Sequence, residues 1–213
     1  MSLFGRFLKP GIPGSRGPMT GWWAEAFTPE EQTTIVDQFT KYPPLGTTFD
    51  TKRLPTTPRF LIDAGTWFTR ADMAPIRIRL LEKALSELGD EANPADRHFT
   101  YIGLIEAWYK LRDVDPAALG NATEYCQRMI AIAPDAKAAL MRDGIWPQGT
   151  GLGHPGYNQL VVILDKQGRL REAIELSRQA QQQGWSGDWD ARIDRYEKKL
   201  AKSPSTHRTS AST

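Results

Sequence analysis

The chain has 213 residues, enough to bury a core without disulfides or metal, and its 40% hydrophobic and 24% charged residues suit a folded domain rather than a disordered chain. One cysteine, Cys126, excludes an internal disulfide framework and a zinc cage built from several thiolates. A net charge of +2 leaves both acidic proteins and nucleic acid open as partners, while no run approaches the roughly 20 apolar residues of a membrane-spanning helix.

Residues 1–20, rich in Gly and Pro, are expected to be loosely ordered. Leu3, Phe4, Phe7 and Leu8 would share one face of a short basic helix, better suited to docking on the body than to anchoring in a membrane. Arg6 interrupts that apolar stretch, which is too short for a secretory leader, so a cytoplasmic protein is expected. Within residues 21–57, Thr28, Pro29, Glu30 and Glu31 give a strong helix start: a capping hydroxyl, proline at the first helical position, and glutamate three residues after the cap. Ile35, Val36 and Phe39 fall on one face, Trp22 and Trp23 pack beside it, Pro43 and Pro44 end it, and residues 45–57 read as a loop.

Residues 58–202 read as paired helices. Phe60, Leu61, Ala64 and Phe68 recur at helical spacing, followed by Ile76, Leu80, Leu81, Ala84 and Leu88. Tyr101, Leu104, Ile105 and Trp108 make a third stripe; Tyr125, Met129, Ile130 and Ile132 make a fourth, with Pro134 as its stop. Tyr157, Leu160, Ile163 and Leu164 lead to Gly168, and Leu170, Ala173, Ile174 and Ala180 lead to Gly184, both glycines placed for left-handed caps. Asp188 can cap a last helix with Trp189, Ile193, Tyr196 and Leu200 inward and Arg192, Lys198 and Lys199 outward. Residues 203–213 are Ser/Thr-rich without large apolar side chains and are expected to be a disordered tail.

Tyr157, Leu160, Val161 and Leu164, then Gly168, Ala173, Ser177 and Ala180, resemble a tetratricopeptide repeat, with Trp185 where proline is usual. Tyr101, Leu104, Ile105 and Trp108 are similar, and Ala122, Cys126, Met129 and Pro134 align when five extra residues are allowed near Val114–Ala118. A third copy runs through Leu61, Ala64, Gly65, Phe68, Leu81 and Ala84, with Arg77 at the usual alanine position. The copies open at Leu61, Tyr101 and Tyr157, less regularly than the family's ~34-residue period. The chain is also similar to a group of small bacterial proteins sharing a turn of Gly184, Trp185, Gly187, Asp188, Trp189 and Asp190 before a basic helix, a likeness that brings no activity with it. These resemblances imply an all-α fold, an irregular tetratricopeptide-like superhelix of about three hairpins (58–90, 98–135 and 154–187) with a capping helix over 188–201.

The glycine-rich run from Gly149 to His154 lacks the strand, lysine or acidic residue of a nucleotide site and reads as a flexible connector. His98, His154 and His207 have no partner at metal-ligand spacing, and Cys126 sits at a helix packing position, where it reads as a small buried hydrophobe. No catalytic residue, metal site or cofactor is expected. In the family, one face of each first helix lines a concave groove, and Arg70, Lys110 and Lys166 occupy the same position in their copies. With Tyr109 and Asn158 beside them, they would attract an acidic peptide or a C-terminal carboxylate. The expected function is a non-enzymatic protein-binding scaffold or adaptor. The rival is nucleic-acid binding through Arg192, Arg195, Lys198, Lys199 and Lys202 with the basic N-terminus, against which Asp194, Glu197 and the small net charge argue.

Overall fold

A computed structural model describes residues 20–42, 54–146 and 151–202. Among them the chain is all-helical: α1 (Trp22–Ala26), α2 (Pro29–Lys41), α3 (Pro58–Gly65), α4 (Ala74–Glu87), α5 (Pro94–Lys110), α6 (Ala118–Ala131), α7 (Ala133–Arg142), α8 (Pro155–Lys166), α9 (Leu170–Gln182) and α10 (Trp189–Lys202). No strand occurs among these residues, and extended pairing is limited to a single bridge between Gly153 and Ser186. The chain divides into two compact units at Ala122/Thr123, inside α6. The expected N-terminal helix, the Pro43–Pro44 stop, most of the 45–57 loop and the C-terminal tail lie outside the described residues.

In the first unit α2 begins as the sequence dictates. The Thr28 hydroxyl accepts from the Glu31 amide at 3.3 Å, and Glu31 Oε2 accepts from the Thr28 amide at 3.0 Å, closing a capping box. The other Glu31 oxygen accepts from Arg79 Nη2 on α4, so one carboxylate both caps α2 and ties it to its neighbour. Trp23 is buried against Phe39, with ring centroids 6.1 Å apart, and its indole donates to the Leu54 carbonyl at 3.2 Å.

α3, α4 and α5 pack on one another through a deletion of side chain. A Cβ on Gly65 of α3 would stand 2.9 Å from Leu81 Cδ2, and one on Gly103 of α5 only 2.4 Å from Leu81 Cδ1. Leu81 is buried in the space those two glycines leave, and Leu61, Phe68, Leu80 and Leu104 of the same unit have no exposed surface. Arg77, one turn earlier on α4, is buried where the repeat pattern has alanine; Gly103 leaves its guanidinium room.

The second unit holds the rest of α6 and α7–α10. Pro134 was expected to stop a helix; it also opens one, because it sits in the first turn of α7, where its missing N–H has no cost. α7 buries Ala133, Ala136, Ala139 and Leu140, a mostly small-residue face that carries little periodic signal. α8 and α9 form the expected hairpin, turning at Gly168 with φ 74°, and α10 packs against α9 after Gly184 with φ 70°. On α6, Cys126 is fully buried as expected, and burial pushes its thiol up to about 12, leaving it protonated and inert at neutral pH.

Leu81→Ala should destabilise the protein by roughly 2–5 kcal/mol, and Gly103→Ala by about 1–3 kcal/mol despite alanine's better helix propensity. In the Leu81→Ala background, Gly103→Ala should cost clearly less, because its severest clash is gone and only the 3.3 Å approach to Arg77 Nη2 remains. Urea unfolding of the four proteins measures the coupling; additive losses would contradict the packing described.

Candidate functional site

The expected groove residues are divided between the two units. Arg70 lies on an exposed corner before the 3-10 turn Ala71–Met73, its Nε and Nη2 donating to the two Asp72 carboxylate oxygens at 3.0 and 2.9 Å. The Arg70 hydrogen bonds hold the Asp72 carboxyl below the usual carboxylate range. Lys110, the last residue of α5, donates from Nζ to the carbonyl of Thr69, the residue before Arg70. The two cations therefore meet at one corner of this unit. Tyr109 is half-buried, with the Arg112 guanidinium 4.4 Å from its ring centroid and donating from Nη1 to its carbonyl at 2.8 Å.

One turn back from Lys110 on α5, Glu106 accepts from Arg77 Nη1 at 2.9 Å. The pair is asymmetric: the Arg77 side chain is 8% exposed and that of Glu106 is 51% exposed. Arg77 Nε is buried and has no hydrogen-bond partner. The Arg77 guanidinium is thus buried with its Nε donor unused among the described residues, facing a carboxylate at the surface. Through Glu106, Arg77 is joined to α5, the helix that ends at Lys110. Its signal in the sequence was arginine at a position where helix crossing calls for a small residue.

Asn158 and Lys166 fall in the second unit, both on α8. Asn158 is half-buried near Gly153, and Lys166 is exposed at the C-terminal end of the helix. The neighbouring Asp165 accepts from Lys199 of α10 at 2.7 and 3.0 Å, tying α8 to α10.

The His154 segment departs from expectation. Gly149 and Thr150 lie outside the described residues, but the stretch from Gly151 is pinned rather than a flexible connector. Leu152 carbonyl accepts from the Ser186 amide at 2.9 Å, and any Cβ on Gly151 would collide with Ser186. His154 is fully buried and caps α8, its Nδ1 accepting from the Tyr157 amide at 3.1 Å, with Pro155 in the first turn. An accepting Nδ1 places the ring proton on Nε2. The ring meets Trp185 edge-on at 4.6 Å and Tyr157 at 4.8 Å; Trp185 in turn stacks on Trp146 at 6.0 Å. Lys137 Nζ lies 5.6 and 5.5 Å from those two indoles and donates to the Gln183 and Gly184 carbonyls at 2.7 and 3.2 Å, a cation on the C-terminal end of α9. Within this cluster His154 Nδ1 caps α8 and Lys137 Nζ joins α7 to the end of α9.

The outward side of α10 is different. Ala191, Asp194, Arg195, Lys198, Lys199 and Lys202 line a surface hollow of about 490 Å³. Among the described residues, no group of three or more His, Cys, Asp or Glu is arranged to hold a metal, and no helix is long and apolar enough to cross a membrane.

No protein-family model, curated protein or solved structure matches this chain. The functional reading therefore rests on its own residues.

His154→Ala should lower stability by about 2–4 kcal/mol, combining a lost cap with a cavity beside Trp185. His154→Asn restores a capping acceptor and should recover about 1 kcal/mol of that loss in thermal or urea unfolding. Equal losses for the two variants would show that the His154–Tyr157 bond contributes nothing.

Proposed function

We propose that the chain is a non-enzymatic scaffold or adaptor with a tetratricopeptide-like arrangement of hairpins, binding a carboxylate-bearing segment of another protein at the Arg70–Arg77–Lys110 face. The observation that carries this reading is the buried Arg77, whose charge is answered, among the described residues, only by the half-exposed Glu106 and whose Nε donor is unused there. Burying an ion pair rarely benefits stability over an apolar replacement, so a buried arginine at a helix crossing calls for another reason. An incoming carboxylate supplies one. It would take the place that Glu106 holds in the free protein, gaining a planar bidentate partner at little ordering cost because packing already fixes the arginine. Arg70 and Lys110, each held by a weak exposed partner, would add charge at the rim; their contribution is mainly to association rate and salt dependence.

Fluorescence polarisation with a labelled oligoglutamate peptide tests this. Arg70→Glu with Lys110→Glu should weaken binding by at least about tenfold, with helical circular dichroism unchanged because both side chains are exposed. Lys166→Glu, in the other unit, should leave the affinity within about twofold. Unchanged binding by the double variant would sink the proposal.

A further inference from the structure

We infer that the outward face of α10 is a second, independent binding surface, one that takes the phosphate backbone of duplex nucleic acid without reading its sequence. α10 is divided by its packing. Trp189, Ile193 and Tyr196 are buried, and Glu197 and Asp190 are engaged from α9, by Arg178 at 2.7 Å and Gln181 at 2.8 Å. The hollow on the other side is lined by four cations and one carboxylate, a net +3. The whole chain carries +2, so all remaining residues together sum to −1 and the basic excess is concentrated on this one face. Such concentration, rather than overall charge, is the footprint of a phosphate-binding surface.

The cations differ in availability. Lys199 is held by Asp165 at 2.7 Å, and Arg195 leans on Tyr196, its guanidinium 5.0 Å from the ring centroid. Lys198 and Lys202 pair with no carboxylate among the described residues. Arg195, Lys198 and Lys202 follow one another at three- and four-residue steps, spanning ~10 Å along the helix. Three charges at that spacing match successive phosphates along a groove edge rather than a single carboxylate.

The lining also selects the class of partner. Among the described residues its one apolar residue is Ala191, so they offer neither the aromatic or aliphatic anchor on which a protein interface depends nor the apolar face needed to enter a lipid surface. Among the described residues it has no aromatic ring on which an unpaired base would stack. A duplex, whose charge is on the outside and whose bases are already stacked, is what remains.

Fluorescence anisotropy of the full chain with a labelled DNA duplex of mixed sequence tests this. The wild type should bind at low salt with log K falling against log salt at a slope near −3, as about three phosphate contacts require. Arg195→Gln/Lys198→Gln/Lys202→Gln should lose at least about tenfold in affinity and flatten the slope, while Asp194→Asn should tighten binding and leave the fold untouched. An excess of oligoglutamate should fail to displace the duplex. The inference is overturned if the wild type does not bind, if the triple variant keeps its affinity and slope, or if oligoglutamate or phosphatidylserine vesicles displace the duplex at matched charge.

Discussion

In the first unit, two missing side chains govern what the helices can do. Gly65 and Gly103 let α3 and α5 close on α4 with Leu81 between them, and neither position would admit a Cβ without moving it. The same Gly103 has a second consequence. A Cβ there would stand 3.3 Å from Arg77 Nη2, so the glycine that admits Leu81 also opens the space in which a buried guanidinium fits. Helix packing and the candidate carboxylate site are thus set by one residue. A bulkier side chain at Gly103 would press on both at once, and the site would be lost through packing before its charges were altered.

The second unit is organised by its turns. Gly168 and Gly184 supply left-handed caps; after the second, Trp185 folds into the core against His154 and Trp146, and its carbonyl accepts from the Trp189 indole at 2.7 Å. α10 starts where that turn places it. With Trp189, Ile193 and Tyr196 committed inward, the helix has no choice but to send Arg195, Lys198 and Lys202 outward. The apolar stripe, not the basic residues themselves, determines that the charge forms a single face.

Much of the helical order was legible because the chemistry is local. Thr28 with Glu31, Gly168, and the Tyr157–Leu164 and Leu170–Ala180 stripes each act within a few residues, and each element formed where they indicate. Other features depend on distant partners. α1 is a single short turn of helix stabilised by Trp23 packing on Phe27, Phe39 and Phe60, and α7 hides behind alanines. His154 as a cap was readable only from Pro155 following it, since histidine is an uncommon capping residue and its burial depends on Trp185 thirty-one positions on. Of the five predicted groove residues, Arg70 and Lys110 converge, while Tyr109 is covered by Arg112. Asn158 and Lys166 lie in the other unit. Arg77 was visible in the sequence as a mismatch to the repeat pattern, but its pairing with Glu106, twenty-nine positions on, was not.

The proposed role of Arg77 is to meet a partner's carboxylate and not to stabilise the fold. Arg77→Met tests it most directly, because methionine fills similar space without charge, and Glu106, half exposed, is left solvated rather than stranded. Thermal unfolding and oligoglutamate binding are measured on the same sample. The account predicts a melting temperature equal to or above that of the wild type, together with lost peptide binding. A melting temperature lowered by several degrees with binding intact would contradict it.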